Sequence, residues 1–128
     1  MSATAPGELT AGTVIGLIAT GAYPRDVVAT IARGFLPLEQ DDLIGVLLYL
    51  VVSDDEEIAE YARVALADIP LRAITEYASN EQIEGEHLLR LLEVTTDNVV
   101  VEALIRNRAV TDSAIADLAR RADARMQE

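Results

Sequence analysis

An all-α fold is predicted for this chain, with about four antiparallel helix pairs stacked as a short α-solenoid. Three observations predict it. Apolar residues recur three and four apart in short segments, and the prolines and glycines fall between those segments. In addition, displacing the chain along itself by 27 residues lays one segment's pattern of side-chain sizes over the next.

The elements follow in order. Residues 1–7 are small and featureless and read as a flexible tail, leaving residues 8–128 as a single helical-repeat domain. The first segment shows Val14, Leu17 and Ile18 on one face. The second shows Val27, Val28 and Ile31; Pro24 opens it and Gly34 ends it, with Pro37 close behind. Residues 43–52 are apolar almost all round, as a helix at the centre of a core is. Glu39, Asp41 and Asp42 precede that run and favour the positive end of a helix dipole. A buried strand is the competing reading, and the acidic lead-in and the length argue against it.

Ser53 with Glu56 reads as a capping box for a helix carrying Ile58, Tyr61, Ala62, Val64 and Ala65, closed by Ile69 and Pro70. Leu71, Ile74, Tyr77 and Ala78 come next, then a polar break at Ser79 and Asn80. Leu88, Leu89, Leu91 and Leu92 form another stripe. Thr96 or Asp97 caps a segment through Ile105, in which Val99, Val100 and Val101 form the one locally strand-like run. Thr111 and Asp112 open the last helix, with Ile115, Leu118 and Ala119 expected to face inward.

The 27-residue shift sets Asn80 on Asn107, Tyr77 on Leu104, Ile83 on Val110, Leu88 on Ile115 and Leu91 on Leu118. A shift of 60 sets Leu17 on Tyr77, Tyr23 on Ile83, Val28 on Leu88 and Ile31 on Leu91. The shared unit is an apolar helix end, a polar turn residue, one apolar plug (Tyr23, Ile83, Val110) and a second amphipathic helix. Each such pair has an apolar face that it buries only by stacking.

Residues 47–58 with Tyr61, Ala62 and residues 65–69 resemble a HEAT-type repeat: an apolar helix, an acidic turn and a second helix with recurring alanines. The turn departs from that pattern in lacking a proline, and Ala59 stands where the family often has an Arg. Residues 104–111 with Ile115, Leu118 and Ala119 are similar to a leucine-rich-repeat-variant unit. Both resemblances, together spanning roughly residues 15–122, imply a right-handed HEAT-like or armadillo-like superhelix that binds other proteins. Some members of the second family hold an iron–sulfur cluster, for which this chain has no cysteine.

The inventory for chemistry is poor. His87 is the sole histidine and cysteine is absent, so a two-histidine or thiolate metal site and a disulfide are excluded. Asp54, Asp55, Glu56, Glu57 and Glu60 invite a cation, but lack the glycine and alternating ligands of a calcium loop. They read as a solvated helix start, as do Glu39, Asp41 and Asp42. The glycines form no phosphate-binding fingerprint. Tyr23, Tyr49, Tyr61 and Tyr77 read as core anchors. No enzyme and no cofactor is expected.

Charge points the same way. The net charge of -12 disfavours nucleic acid and anionic membrane as partners. The ten basic residues are all Arg, which reads as the codon bias of a GC-rich bacterial genome or, alternatively, as a set of specific contacts. Residues 43–52 are about half as long as a membrane span, and no secretory signal is visible, so a cytoplasmic protein is expected.

The expected function is therefore a non-catalytic protein–protein interaction or scaffolding module. The alternative is an acidic decoy that mimics nucleic acid and blocks a basic protein. The expected interface is Arg106, Arg108, Ile115, Leu118, Arg120, Arg121 and Arg125: an apolar centre with an Arg rim. The last helix runs out through Ala122, Ala124 and Met126 without a stop signal. Its face should then dock a second copy, a partner or further repeats. Two readings compete with this: the Arg pair with the chain's own carboxylates, or the terminal helix frays.

Overall fold

The structure, a computed structural model, describes residues 10–126; within the last helix it describes the side chains up to Ala116 and that of Arg120. The tail expected at residues 1–7 lies outside the described residues. These form eight helices and no strand: α1 (Ala11–Ala19), α2 (Arg25–Ala32), α3 (Gln40–Leu50), α4 (Glu56–Ala67), α5 (Leu71–Ser79), α6 (Gly85–Val94), α7 (Asn98–Arg106) and α8 (Arg108–Met126). They divide between two compact units, Met1–Pro70 and Leu71–Glu128.

In the first unit α1 packs on α3 and α2 on α4, so that first helix meets first helix and second meets second. The caps explain the boundaries. The Thr10 hydroxyl accepts from the Thr13 N–H at 3.2 Å. Gly21 and Gly34, with φ of 79° and 85°, take the left-handed conformation that ends a helix in a Schellman turn. The defining bonds are present after both helices: Ala22 N–H to Leu17 O and Gly21 N–H to Ile18 O, then Phe35 N–H to Thr30 O and Gly34 N–H to Ile31 O. Asp42, in the first turn of α3, accepts the otherwise orphaned Ala11 N–H of α1 at 3.0 Å.

The apolar run does form the central helix. Ile44, Val46, Leu47 and Leu48 in α3 are fully buried, and Val14, Val28, Ile31, Ile58 and Ala62 share a core with Val46 and Leu47. Several positions expected inside are not. Val27, Val52, Val64 and Leu71 are exposed, because each helix here buries a narrow stripe and these residues flank it. Ser53 is not the cap of α4. Asp55 is, accepting from the Glu57 and Ile58 N–H groups, while the Ser53 hydroxyl accepts from the Asp55 N–H at 3.1 Å.

In the second unit α5 packs on α7 and α6 on α8. Tyr77, Leu88, Val100 and Leu104 are fully buried and form its centre with Ala78, Leu91 and Val110. The valine run at 99–101 is helical, because the Asp97 carboxylate caps α7 by accepting from Val99 N–H at 2.9 Å and Val100 N–H at 3.2 Å. The last helix begins at Arg108, not at Thr111 and Asp112, because Asn107 opens it: its Oδ1 accepts from Ala109 N–H at 2.9 Å. Asn80 makes the same turn one shift earlier, accepting from Gln82 N–H at 2.9 Å. The two residues also meet. The Asn107 amide donates to Ala78 O at 2.8 Å and Asn80 O at 3.1 Å, and Asn107 is 2% exposed.

Candidate interaction surfaces

Ionised groups join α2 to α4. Arg25, at the start of α2, reaches the start of α4: its Nε donates to Asp55 Oδ2 at 2.5 Å, and its Nη2 donates to Asp55 Oδ1 at 3.1 Å and Glu57 Oε1 at 2.6 Å. Hydrogen bonds from Arg25 hold both carboxyls below their ordinary pKa range, and the same bonds raise that of Arg25. Arg33, just beyond the other end of α2, lies 4.8 Å from the centre of the Tyr61 ring on α4. Two Arg eight positions apart thus fasten one helix to its neighbour. The acidic run at 54–57 is half consumed by this fastening. Among the described residues no group of three or more His, Cys, Asp or Glu is placed to hold a metal ion. His87 lies half-buried on α6. Of the tyrosines, Tyr77 is buried, and Tyr23, Tyr49 and Tyr61 pack partly buried against the core of the first unit.

The C-terminal helix pair carries the predicted surface. Arg106 is 77% exposed and its Nη2 lies 2.8 Å from Glu102 Oε1 one turn back, so this Arg has a private partner. Arg108 and Arg120 are exposed. Ile115 does not face inward: it is 60% exposed. Leu118, Arg121 and Arg125 belong to α8, but their side chains lie outside the described residues.

The 27-residue repeat supplies the reason for the Ile115 result and identifies a residue that pattern reading missed. Ile115 stands where Leu88 stands one pair earlier, and Ile105 where Ala78 stands. Leu88 and Ala78 are fully buried in a pair on which α7 and α8 are packed; Ile105 and Ile115 are 64% and 60% exposed. The positions in the repeat are the same and the burial is not. Ile105 was readable from this shift, since an apolar residue recurs at a position that stacking buries.

The α5–α7 side of the same unit is cut by an open cleft of about 280 Å³ whose lining mixes Thr75, Ser79, Glu102 and Arg106 with Val99. It presents the Arg106–Glu102 pair and the hydroxyls of Thr75 and Ser79 as polar contacts. Among the described residues, no helix is long and apolar enough to cross a membrane. Comparison with protein-family models, curated proteins and solved structures finds no match.

Proposed function

We propose that the chain is a non-catalytic protein–protein interaction module, a short helical-repeat solenoid whose C-terminal pair offers a docking face. The observation that carries this reading is the exposure of Ile105 and Ile115 at positions which the preceding pair buries by stacking. Two large aliphatic side chains left about two-thirds in water forgo about 1–2 kcal/mol each, which a partner recovers. Arg108 stands two turns before Ile115 on the same side of α8 and supplies a polar neighbour. The packing of first helix on first and second on second, with matching Asn80 and Asn107 turns, supports the repeat reading.

The test is sedimentation velocity over a hundredfold range of concentration, with affinity capture from the native cell, on the wild type, Ile105→Glu and Ile115→Glu. Both variants should fold normally and lose self-association or the captured partner. A strictly monomeric chain whose captured partners ignore both charges overturns the reading. An acidic decoy separates from this reading by salt, since its binding collapses as ionic strength rises while apolar docking persists.

A further inference from the structure

The first unit holds a second surface of different chemistry. The exposed side of α2 and the loop after it enclose an open groove of about 240 Å³, lined by Tyr23, Asp26, Val27, Thr30, Phe35 and Leu36 among others. Phe35 is the chain's sole phenylalanine and is 69% exposed. Its backbone is nevertheless fixed, because Phe35 N–H closes the Schellman turn on Thr30 O at 3.3 Å and Gly34 holds the required positive φ. The backbone that carries this ring is pre-set, so binding has only the two side-chain torsions of Phe35 left to order.

The electrostatics of the groove point to one kind of occupant. Both Arg of this segment are drawn onto α4, Arg25 by Asp55 and Glu57 and Arg33 by the Tyr61 ring. Among the described residues no basic side chain pairs with the Asp26 carboxylate, which lines the groove. The Thr30 hydroxyl, which also lies on this groove, donates to Asp26 O at 2.9 Å within α2. The charge of the groove is therefore negative, within a unit whose 70 residues hold 11 acids against three Arg.

We propose that this groove docks a cationic amphipathic segment of a partner protein, with one large apolar side chain against Val27 and Phe35 and an adjacent Lys or Arg on Asp26. The proposal rests on the interaction-module reading but uses a surface separate from the C-terminal pair.

The probe is a synthetic peptide of Leu and Lys only, about fourteen residues and four turns long, patterned as an amphipathic helix. Its Glu-for-Lys counterpart and an all-Lys peptide of equal length serve as controls. Each is titrated into the isotope-labelled full chain and followed by amide NMR. The Leu–Lys peptide should shift amides of residues 23–36, and Phe35→Ser and Asp26→Lys should each weaken it about tenfold or more while leaving helicity unchanged, with Asp26→Lys lowering Tm by a few degrees because it reverses the charge in the first turn of α2. Shifts confined to other residues, equal binding by the all-Lys or Glu-for-Lys peptide, or indifference to either substitution would each overturn the proposal. So would no saturable binding, or a self-association that Phe35→Ser abolishes, which would make the occupant a second copy. The Ile105→Glu and Ile115→Glu assays read the other surface and stand apart from every one of these outcomes.

Discussion

Replacing Gly85 with alanine puts a Cβ where the structure has no room for one. Built on the Gly85 backbone, that atom lies 1.9 Å from Ser113 Oγ, 2.8 Å from Ser113 Cβ and 2.5 Å from the Ala109 carbonyl oxygen. The hydroxyl can rotate away; the carbonyl and the Cβ move only with α8. Carbon–carbon contacts settle at about 3.5–4.0 Å, so α8 must withdraw from α6 by roughly 1 Å. Overpacking of this kind costs about 1–3 kcal/mol, and the helical preference of Ala over Gly returns about 0.5–1 kcal/mol. The net expectation is a loss of about 1–2 kcal/mol, or roughly 4–8 °C in Tm for a chain of this size. Gly16 in α1 is the internal control: an added Cβ meets nothing within 4 Å, so Gly16→Ala should raise Tm. Thermal unfolding by circular dichroism measures both. Adding Ser113→Gly to Gly85→Ala should recover only part of the loss, because the Ala109 carbonyl stays in the way and a glycine inside α8 itself costs about 0.5 kcal/mol. A Gly85→Ala protein as stable as the wild type would refute the close approach of α6 and α8.

Three further outcomes are expected. Leu47→Ala should cost about 2–5 kcal/mol by chemical denaturation, since Leu47 is fully buried at the centre of α3; no change for it and for Leu50→Ala would remove α3 from the core. Asn107→Ala should cost about 1–3 kcal/mol, and Asn107→Asp more, because a carboxylate keeps the cap on Ala109 but faces the Ala78 and Asn80 carbonyls without a donor; the reverse order would contradict the assigned amide orientation. Arg25→Met should lower Tm at pH 7, and the gap should close in acid. The Asp55 and Glu57 carboxyls are depressed in the folded state, so their contribution is present above the ordinary value of about 4 and is lost as pH falls through the lower folded values. A gap that closes already above pH 5 would assign the effect to other groups.

Helical periodicity and the repeat were legible because both are written in short-range spacing. The central placement of residues 43–52, the all-helical class and the kinship of Asn80 with Asn107 follow from the pattern alone. Details set by a distant neighbour were not. Gly85 carries no local signal of its role, which exists only because Ser113 lies across from it. Ser53 and Asp55 are both good caps, and only the backbone decides between them. Asn107 hides the start of α8 by serving two helices, closing one and opening the other with a single residue. Of the candidate interface, the exposed Arg were legible from polarity. The outward turn of Ile115 was not, because a stripe looks the same whether or not a further pair covers it.

The joint at Asn107 also governs the order in which the molecule comes apart. Its amide finds its acceptors 27 and 29 residues back, in a turn that must already exist to receive it. Helices that pack are adjacent or next but one along the chain, so loop closures are short and folding belongs to the fast, low-contact-order regime. The dependence is mutual but unequal: when α8 lets go, the turn between α5 and α6 loses the Asn107 amide from Ala78 O and Asn80 O but keeps the Asn80 Oδ1 bond to Gln82 N–H, whereas Asn107 loses both acceptors if that turn melts. Amide protons of α8 should therefore exchange with solvent no more slowly than those of α6, and the second unit should fray from α8 backwards rather than open in the middle.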